Sequence, residues 1–215
     1  MNPPHASAQG GVWERKIGSV RRVLEGSLQL SGNRGVSRDE FVTLLAEAAS
    51  IVNNTPLWAV SNQPDDPLPL SPASLLTLRS QNGAPLLSTF TEDDLLAYGP
   101  RRYRRVQYLA DQFWTRWRQE YLQTLTRRRK WVTPRRCLAI HDIVLVRDRQ
   151  VPRNHWQTGR VIEVKRSQDG LVRSVAISLP SLPGKNAKRI QWRTVQELVL
   201  LTPFEPTVVQ EASQS

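Results

Sequence analysis

Apolar residues recur with helical spacing over a long stretch between residues 101 and 136. The stripe consists of Val106, Leu109, Phe113, Trp117, Tyr121 and Leu125. The spacing predicts a long amphipathic helix, with Arg104, Arg105 and Arg118 off the apolar stripe and Pro134 preventing its simple continuation. The aromatic residues lie on or next to the stripe, which favours packing in a core over stacking on nucleic-acid bases.

Three shorter helices are expected before this stretch. The spacing of Ile17, Val20 and Leu24 predicts a helix that starts near Gly11. Ser37 and Glu40 have the spacing of a capping box, ahead of a second apolar stripe. Ser71 and Pro72 begin a third, short helix. Residues 55–70 contain four prolines and predict a stiff connection without regular structure.

The pattern changes to one typical of β-strands at Cys137. The β-rich runs are 137–148, 156–166, 171–179, 188–192 and 197–201. Asp169 and Gly170 form a strong hairpin-turn signal between the second and third runs. Trp156 and Trp192 are expected to close the core of this sheet, because large rings supply much of the buried area in small β domains. Five short strands predict a small barrel, either SH3-like or OB-like.

The charge distribution points to nucleic acid. The chain of 215 residues has a net charge of +11, and residues 101–136 contain twelve cations and only two acids. Residues 127–136 hold six cations and no acid, which favours phosphate binding over a nuclear-import signal or mere solubility. Further cations that could extend this track are Arg147, Arg149, Arg153, Arg160, Lys165, Arg166 and Arg173, although four acids dilute the signal there.

Other features narrow the location and exclude some chemistries. Cys137 is the single cysteine, so no internal disulfide forms and a reducing compartment is expected. There is no run of about 18 apolar residues, and the N-terminus lacks the features of a signal peptide. We therefore expect a nuclear or cytoplasmic protein without a membrane partner. The three histidines and Cys137 do not have zinc-ligand spacing.

Several segments resemble one family, and in chain order they are GGVWER, SPASLL, YRRVQYLADQFWTRWRQEYLQTLTRRRKW, HDIVLVRD, PRNHW, GRVIEV and DGLVRSV. Over roughly residues 3–202 the chain resembles the C-terminal half of integrases from BEL/Pao-type retrotransposons. The resemblance implies an α+β fold in four parts. These are N-terminal helices of a truncated RNase H-like core (1–100), a basic linker helix (101–136), an SH3-like five-stranded β-barrel (137–202) and a disordered tail (203–215).

The resemblance also implies a site. Such integrases use two aspartates and a glutamate to hold two divalent ions, and Glu14 matches the glutamate. Only 13 residues precede Glu14, so we expect the aspartates to be absent, no independent catalysis, and Mg²⁺ only in a complete parent integrase. The expected DNA-binding residues are Arg127, Arg128, Arg129, Lys130, Arg135, Arg136, Arg160 and Arg173.

Two functions follow from this interpretation. The first is DNA binding, mostly through the phosphate backbone, by the C-terminal portion of an integrase. The alternative is an interaction module that binds other integrase subunits or associates with itself, since a small barrel alone does not decide function.

Overall fold

The computed structural model describes residues 11–60, 68–78, 90–96, 102–126, 137–148, 151–180 and 189–204. They form two compact units. The helical unit comprises the described parts of 1–56, 71–127 and 149–156, and the sheet unit comprises those of 57–70, 128–148 and 157–215. The described residues mix helices with an antiparallel sheet, in agreement with the predicted α+β class.

The helical unit contains α1 (Gly11–Leu28), α2 (Arg38–Asn53), α3 (Pro72–Thr77) and α4 (Arg102–Thr126), with 3-10 helices at Gln29–Arg34 and Glu92–Leu96. The predicted helix starts are confirmed. The Ser37 N–H donates to Glu40 Oε2 at 2.8 Å, and the Glu40 N–H donates to Ser37 Oγ at 3.4 Å. Ser71 caps α3, and Pro72 occupies its first turn, where a missing N–H leaves no bond unmade.

Apart from Leu125, which is 36% exposed, the apolar stripe of α4 lies in the core of the helical unit. Leu109 and Phe113 have no exposed surface, and Trp117 is 1% exposed, so the prediction of core packing is confirmed. The Trp117 Nε1 donates to Thr55 Oγ1 at 3.0 Å. Arg105 and Arg118, which the spacing places off the apolar stripe, are nevertheless buried. For Arg105 the reason is a carboxylate partner, Glu40, which lies on α2.

Residues 151–156 belong to the helical unit, although they lie between two strands in the sequence. The ring of Trp156 packs edge-on against Trp114 and Tyr121, with centroid distances of 4.9 and 5.4 Å. The Trp114 Nε1 donates to the Val151 carbonyl at 3.3 Å. The prediction that Trp156 closes the core of the sheet is therefore wrong, because its partners are the aromatic residues of α4.

The sheet unit contains β1 (Trp58–Val60), β2 (Leu68–Leu70), β3 (Ile143–Val146), β4 (Thr158–Arg166), β5 (Val172–Leu179), β6 (Arg189–Thr194) and β7 (Leu198–Thr202). β3 to β7 form one antiparallel sheet in the order β6-β5-β4-β3-β7, and a 3-10 turn at Val195–Glu197 precedes β7. The five predicted strands are confirmed. One face of the sheet carries the core, which consists of Leu138, Val144, Val146, Val161, Val175, Ile177, Leu179 and Leu198.

Trp192 lies on the opposite face from this core. Its register partner is Ala176, whereas the β6 residues that pair with core positions Val175 and Ile177 are Arg193 and Gln191. Because side chains alternate along a strand, Trp192 points away from the core and is 51% exposed. The prediction that Trp192 closes the core is therefore wrong.

The expectation of a connection without regular structure between residues 55 and 70 is also wrong, because β1 and β2 pair as an antiparallel ribbon. Pro69 is tolerated opposite Ala59 for a simple reason. The Ala59 N–H donates to Thr202 Oγ1 at 3.0 Å, so this pair exchanges no bond that would require an N–H from Pro69.

Candidate nucleic-acid interface

The turn between β4 and β5 has the geometry that its sequence predicts. Gly170 has a φ of 77°, a left-handed conformation that glycine adopts at no steric cost. Its N–H donates to the Ser167 carbonyl at 2.9 Å, and the Ser167 N–H donates to the Leu171 carbonyl at 2.9 Å. The hairpin predicted from Asp169 and Gly170 is confirmed.

An open cleft of about 580 Å³ lies at this turn. It is lined by Lys165, Arg166, Ser167, Gln168, Asp169, Arg173 and Ser174. The single acid, Asp169, accepts a hydrogen bond from Arg173 Nη2 at 2.6 Å, and both side chains are largely exposed. The cleft therefore holds three cations against one carboxylate, an arrangement suited to an anion such as phosphate.

Two of these cations have no partner among the residues that the structure describes. Lys165 and Arg166 are exposed, and neither side chain makes a hydrogen bond or ion pair with another residue that the structure describes. An unpaired guanidinium and ammonium near each other repel, and an anion between them relieves that repulsion.

The arginines of the helical unit differ, because many of them already have carboxylate partners. Arg104 Nε lies 2.7 Å from Asp94 Oδ1, and this contact lowers the pKa of Asp94 and raises that of Arg104. Arg105 Nη1 lies 3.4 Å from Glu40 Oε1, and Arg22 Nη1 lies 2.9 Å from Glu120 Oε1. In α4, the number of cations in the sequence is therefore larger than the number whose charge is available to a ligand.

Arg153 was a candidate for the cationic track, and that placement is wrong. Its side chain is only 5% exposed and contacts Asp111 at 2.7 Å and Glu47 at 3.0 Å. Arg153 Nη1 also donates to Gln107 Oε1 at 2.8 Å. Burial raises the pKa of the Asp111 carboxyl, and the nearby Arg153 opposes that effect. Arg153 is a structural residue of the helical unit.

The predicted site residues are distributed unevenly. Arg173 lines the cleft, whereas Arg160 is half-buried on β4 and is not among the lining residues. Glu14 is exposed on α1. The largest predicted group lies outside the described residues, and it consists of Arg127, Arg128, Arg129, Lys130, Arg135 and Arg136.

Trp192 is the feature whose position sequence reasoning misjudged. Strand alternation counted outward from the buried Val175 and Ile177 would have placed it on the outer face, but only with the register known.

The structure also limits other kinds of site. In the described parts of the chain, no group of three or more His, Cys, Asp or Glu side chains is placed to hold a metal ion. None of the described helices is both long and apolar enough to cross a membrane.

Comparison with known proteins places a family match on the second half of the chain. No curated protein matches the sequence. Residues 101–201, which include α4 and β3 to β6 and reach into β7, match the sequence model of a family described as a family of unknown function, DUF5641.

Proposed function

We propose that this chain is a DNA-binding C-terminal portion of a retrotransposon integrase of the BEL/Pao type, acting in the nucleus or the cytoplasm. On this proposal, the matched family is the C-terminal domain of the retrotransposon polyproteins that contain such integrases. Binding is mainly to the phosphate backbone and carries little sequence preference. The predicted boundaries at residues 100, 136 and 202 remain part of this proposal.

The observation that carries the proposal is that two neighbouring cations of the cleft are exposed and unpaired among the described residues, whereas several arginines of the helical unit are held by carboxylates. In the helical unit, Arg104, Arg105 and Arg153 are held by carboxylates of the protein. In the cleft, Lys165 and Arg166 have no such partner among the described residues. Cations that lack a partner in the protein are available to phosphates. When they neutralise the phosphates of DNA, the condensed counterions are released, and this release drives association.

The strand order supports the SH3-like interpretation of the sheet unit. Four consecutive strands pair as a meander, and the last strand returns to pair with the first. A 3-10 turn at Val195–Glu197 precedes the last strand. Fold alone does not assign function, so the proposal depends on the cleft and not on the barrel.

We propose no strand transfer by this chain alone. The two-metal mechanism of such enzymes needs several carboxylates that converge on a pair of ions, and Glu14 is exposed on α1. The RNase H-like interpretation of the helical unit gives Glu14 its role only in a complete parent protein, which would supply Mg²⁺ and further carboxylates. An assay for Mg²⁺- or Mn²⁺-dependent strand transfer tests this, and product formed by the chain alone would contradict it.

Equilibrium binding to a 30-mer duplex at several salt concentrations tests the DNA-binding proposal. We expect log K to fall linearly with log salt, with a slope of about −0.9 for each phosphate contacted. A double variant, Lys165→Gln with Arg166→Gln, should reduce the magnitude of the slope by about two units. The matched control is Arg21→Gln with Arg38→Gln, which removes two exposed cations from the helical unit.

Equal slopes for the wild-type protein and the cleft variant would contradict the role of the cleft. Absence of binding to duplex and single-stranded DNA at low salt would overturn the whole proposal. Equal losses in the cleft and control variants would mean that net charge, and not the cleft, attracts the DNA.

A second candidate function is self-association or binding to integrase subunits. Trp13 and Ile17 favour it, because they lie one turn apart on α1 and are 52% and 44% exposed. Sedimentation velocity of the wild-type protein and of a Trp13→Ser, Ile17→Ser variant tests this function. A dimer that the variant loses would support it, and a monomer in both cases would exclude self-association through this face.

A further inference from the structure

The face of the sheet opposite its core carries two exposed apolar residues on β6. Trp192 is 51% exposed and Ile190 is 60% exposed, and both lie on β6, an edge strand of the sheet. Two exposed apolar side chains two residues apart on a strand lie on the same face and form one apolar patch, a feature that marks interaction sites. Trp192 therefore marks a surface at which a ligand could bind.

The neighbouring strand carries only small side chains on this face. The residues of β5 on this face are Ser174, Ala176 and Ser178, all of which are small. Ala176 is the register partner of Trp192, and Ser178 is the partner of Ile190. Ala176 is itself covered, with 1% of its surface exposed, whereas the indole of Trp192 beside it keeps about half of its surface in solvent, where a flat group can stack.

Positive charge borders this face on one side. Ser174 pairs with Thr194 on β6 and with Lys165 on β4, so these three residues form one row across the sheet. Lys165 and Ser174 also line the basic cleft. Strands lie about 4.8 Å apart, which puts β4 roughly 10 Å from β6, a distance that one or two nucleotides bridge. The aromatic surface and the cationic cleft are thus continuous.

We propose that this face binds an unpaired strand of nucleic acid, with a base stacked on Trp192 and the adjoining phosphates held by Lys165 and the cleft. The inference rests on the proposed DNA binding and adds a substrate class, namely unpaired nucleotides. Aromatic rings accept every base, so this stacking requires no particular sequence.

The acid on this face sets the path of the strand. Glu163 pairs with Ala176, which places it in the same row as Trp192. Phosphates are repelled by that carboxylate and pass on the side of Lys165. A cation-rich protein partner would be attracted to Glu163 but repelled by Lys165, Arg166 and Arg173. These three cations therefore disfavour such a partner.

Binding constants for dT20 and for a 20-bp duplex, measured with single-site variants, test the inference. Trp192→Ala should weaken the binding of dT20 by roughly 5- to 140-fold, the effect of losing one stacked base. The binding of the duplex should change less than about twofold, because its bases remain stacked in the helix. Trp192→Phe should recover most of the affinity for dT20, because it restores an aromatic surface.

Trp58→Ala is the matched control, because Trp58 lies in the same unit and is 49% exposed. It should leave both affinities unchanged. Thermal unfolding verifies that each variant is folded, and an exposed substitution should change stability little.

Unchanged affinity of Trp192→Ala for dT20 would overturn this inference while leaving phosphate binding by the cleft intact. Equal losses for dT20 and the duplex would also overturn it, since they mean that Trp192 does not distinguish unpaired bases. Loss of self-association in Trp192→Ala without a change in affinity would identify the face as a protein interface. Absence of binding to either nucleic acid would overturn both proposals.

Discussion

Arg153 and Asp111 form an ion pair in the helical unit, with 2.7 Å between Arg153 Nη2 and Asp111 Oδ1. They are 42 residues apart in the sequence. Arg153 also donates to the Gln107 carbonyl at 3.1 Å, which leaves its guanidinium satisfied on several sides. Arg153, which lies between two strands in the sequence, is thus part of a polar network of the helical unit.

Replacing Arg153 tests the importance of this network. We expect Arg153→Met to lower the free energy of unfolding by about 3 kcal/mol, because it leaves the carboxylates of Glu47 and Asp111 without their shared cation. Arg153→Lys should lower the free energy of unfolding less, because lysine keeps the positive charge, although it lacks the several donors of the planar guanidinium. Urea unfolding measures both variants, with Arg21→Gln as an exposed control. Equal stability of Arg153→Met and the wild-type protein would contradict the structural assignment.

The pair of Glu40 and Arg105 predicts a dependence of stability on pH. Burial opposes ionisation of Glu40, but hydrogen bonds from Ser37 and the charges of Arg105 and Arg102 outweigh it, so its pKa lies below the ordinary value of 4.5. A lowered pKa in the folded state stabilises the fold above the unfolded pKa and loses that contribution as pH falls through the folded value.

Glu40→Gln should therefore be less stable than the wild-type protein at pH 7, by about 3 kcal/mol for a pair whose side chains are 5% and 8% exposed. The difference should shrink as pH falls below 4.5. Urea midpoints from pH 7 to pH 3 measure this difference. A gap that stays constant over that range would mean that ionisation of Glu40 contributes nothing.

The basic segment outside the described residues can be tested in the same way as the cleft. Replacing Arg127, Arg128, Arg129 and Lys130 by Gln should weaken DNA binding and reduce the salt slope by up to about four units. The oligomeric state should not change. The control variant replaces four exposed cations of α1 and α2, which are Arg15, Arg21, Arg22 and Arg38. A changed oligomeric state with unchanged DNA binding would favour the interaction-module alternative.

Cys137 provides a chemical probe of the same region. Its side chain is exposed and lines a second cavity, of about 500 Å³, that shares Arg166 with the basic cleft. Bound DNA should slow alkylation of the thiol about tenfold when its concentration is about ten times Kd. The protection should disappear at high salt, where DNA dissociates. Alkylation at one rate with and without DNA would place the bound DNA away from Arg166.

Much of the local structure follows from sequence patterns. The capping box of Ser37 and Glu40 sets the start of α2, and Gly170 sets the β4–β5 turn. Both depend on interactions between residues close in the chain, so both can be predicted from the sequence without knowledge of the fold. The helix α4 could also be predicted, because burial of one face imposes the helical period on its apolar residues.

The candidate site could be predicted only in part from the sequence. The basic composition of residues 101–136 pointed to phosphate, but sequence gives the number of cations and not their partners. Arg104 and Arg105 have carboxylate partners on other elements, whereas Lys165 and Arg166 have none among the described residues. Those partners are 10 and 65 residues away in the sequence, so composition could not identify them.

By itself, the sequence determined the helices, the order of β3 to β7 along the chain, the turn at Gly170 and the excess of cations, since each depends on neighbouring residues. Only the tertiary structure decided which face each tryptophan occupies and which cations remain available. Trp156 packs on Trp114, and Trp192 is left in solvent. The reason is that burial and charge pairing depend on segments distant in the chain, and strand register decides which face of the sheet a side chain occupies.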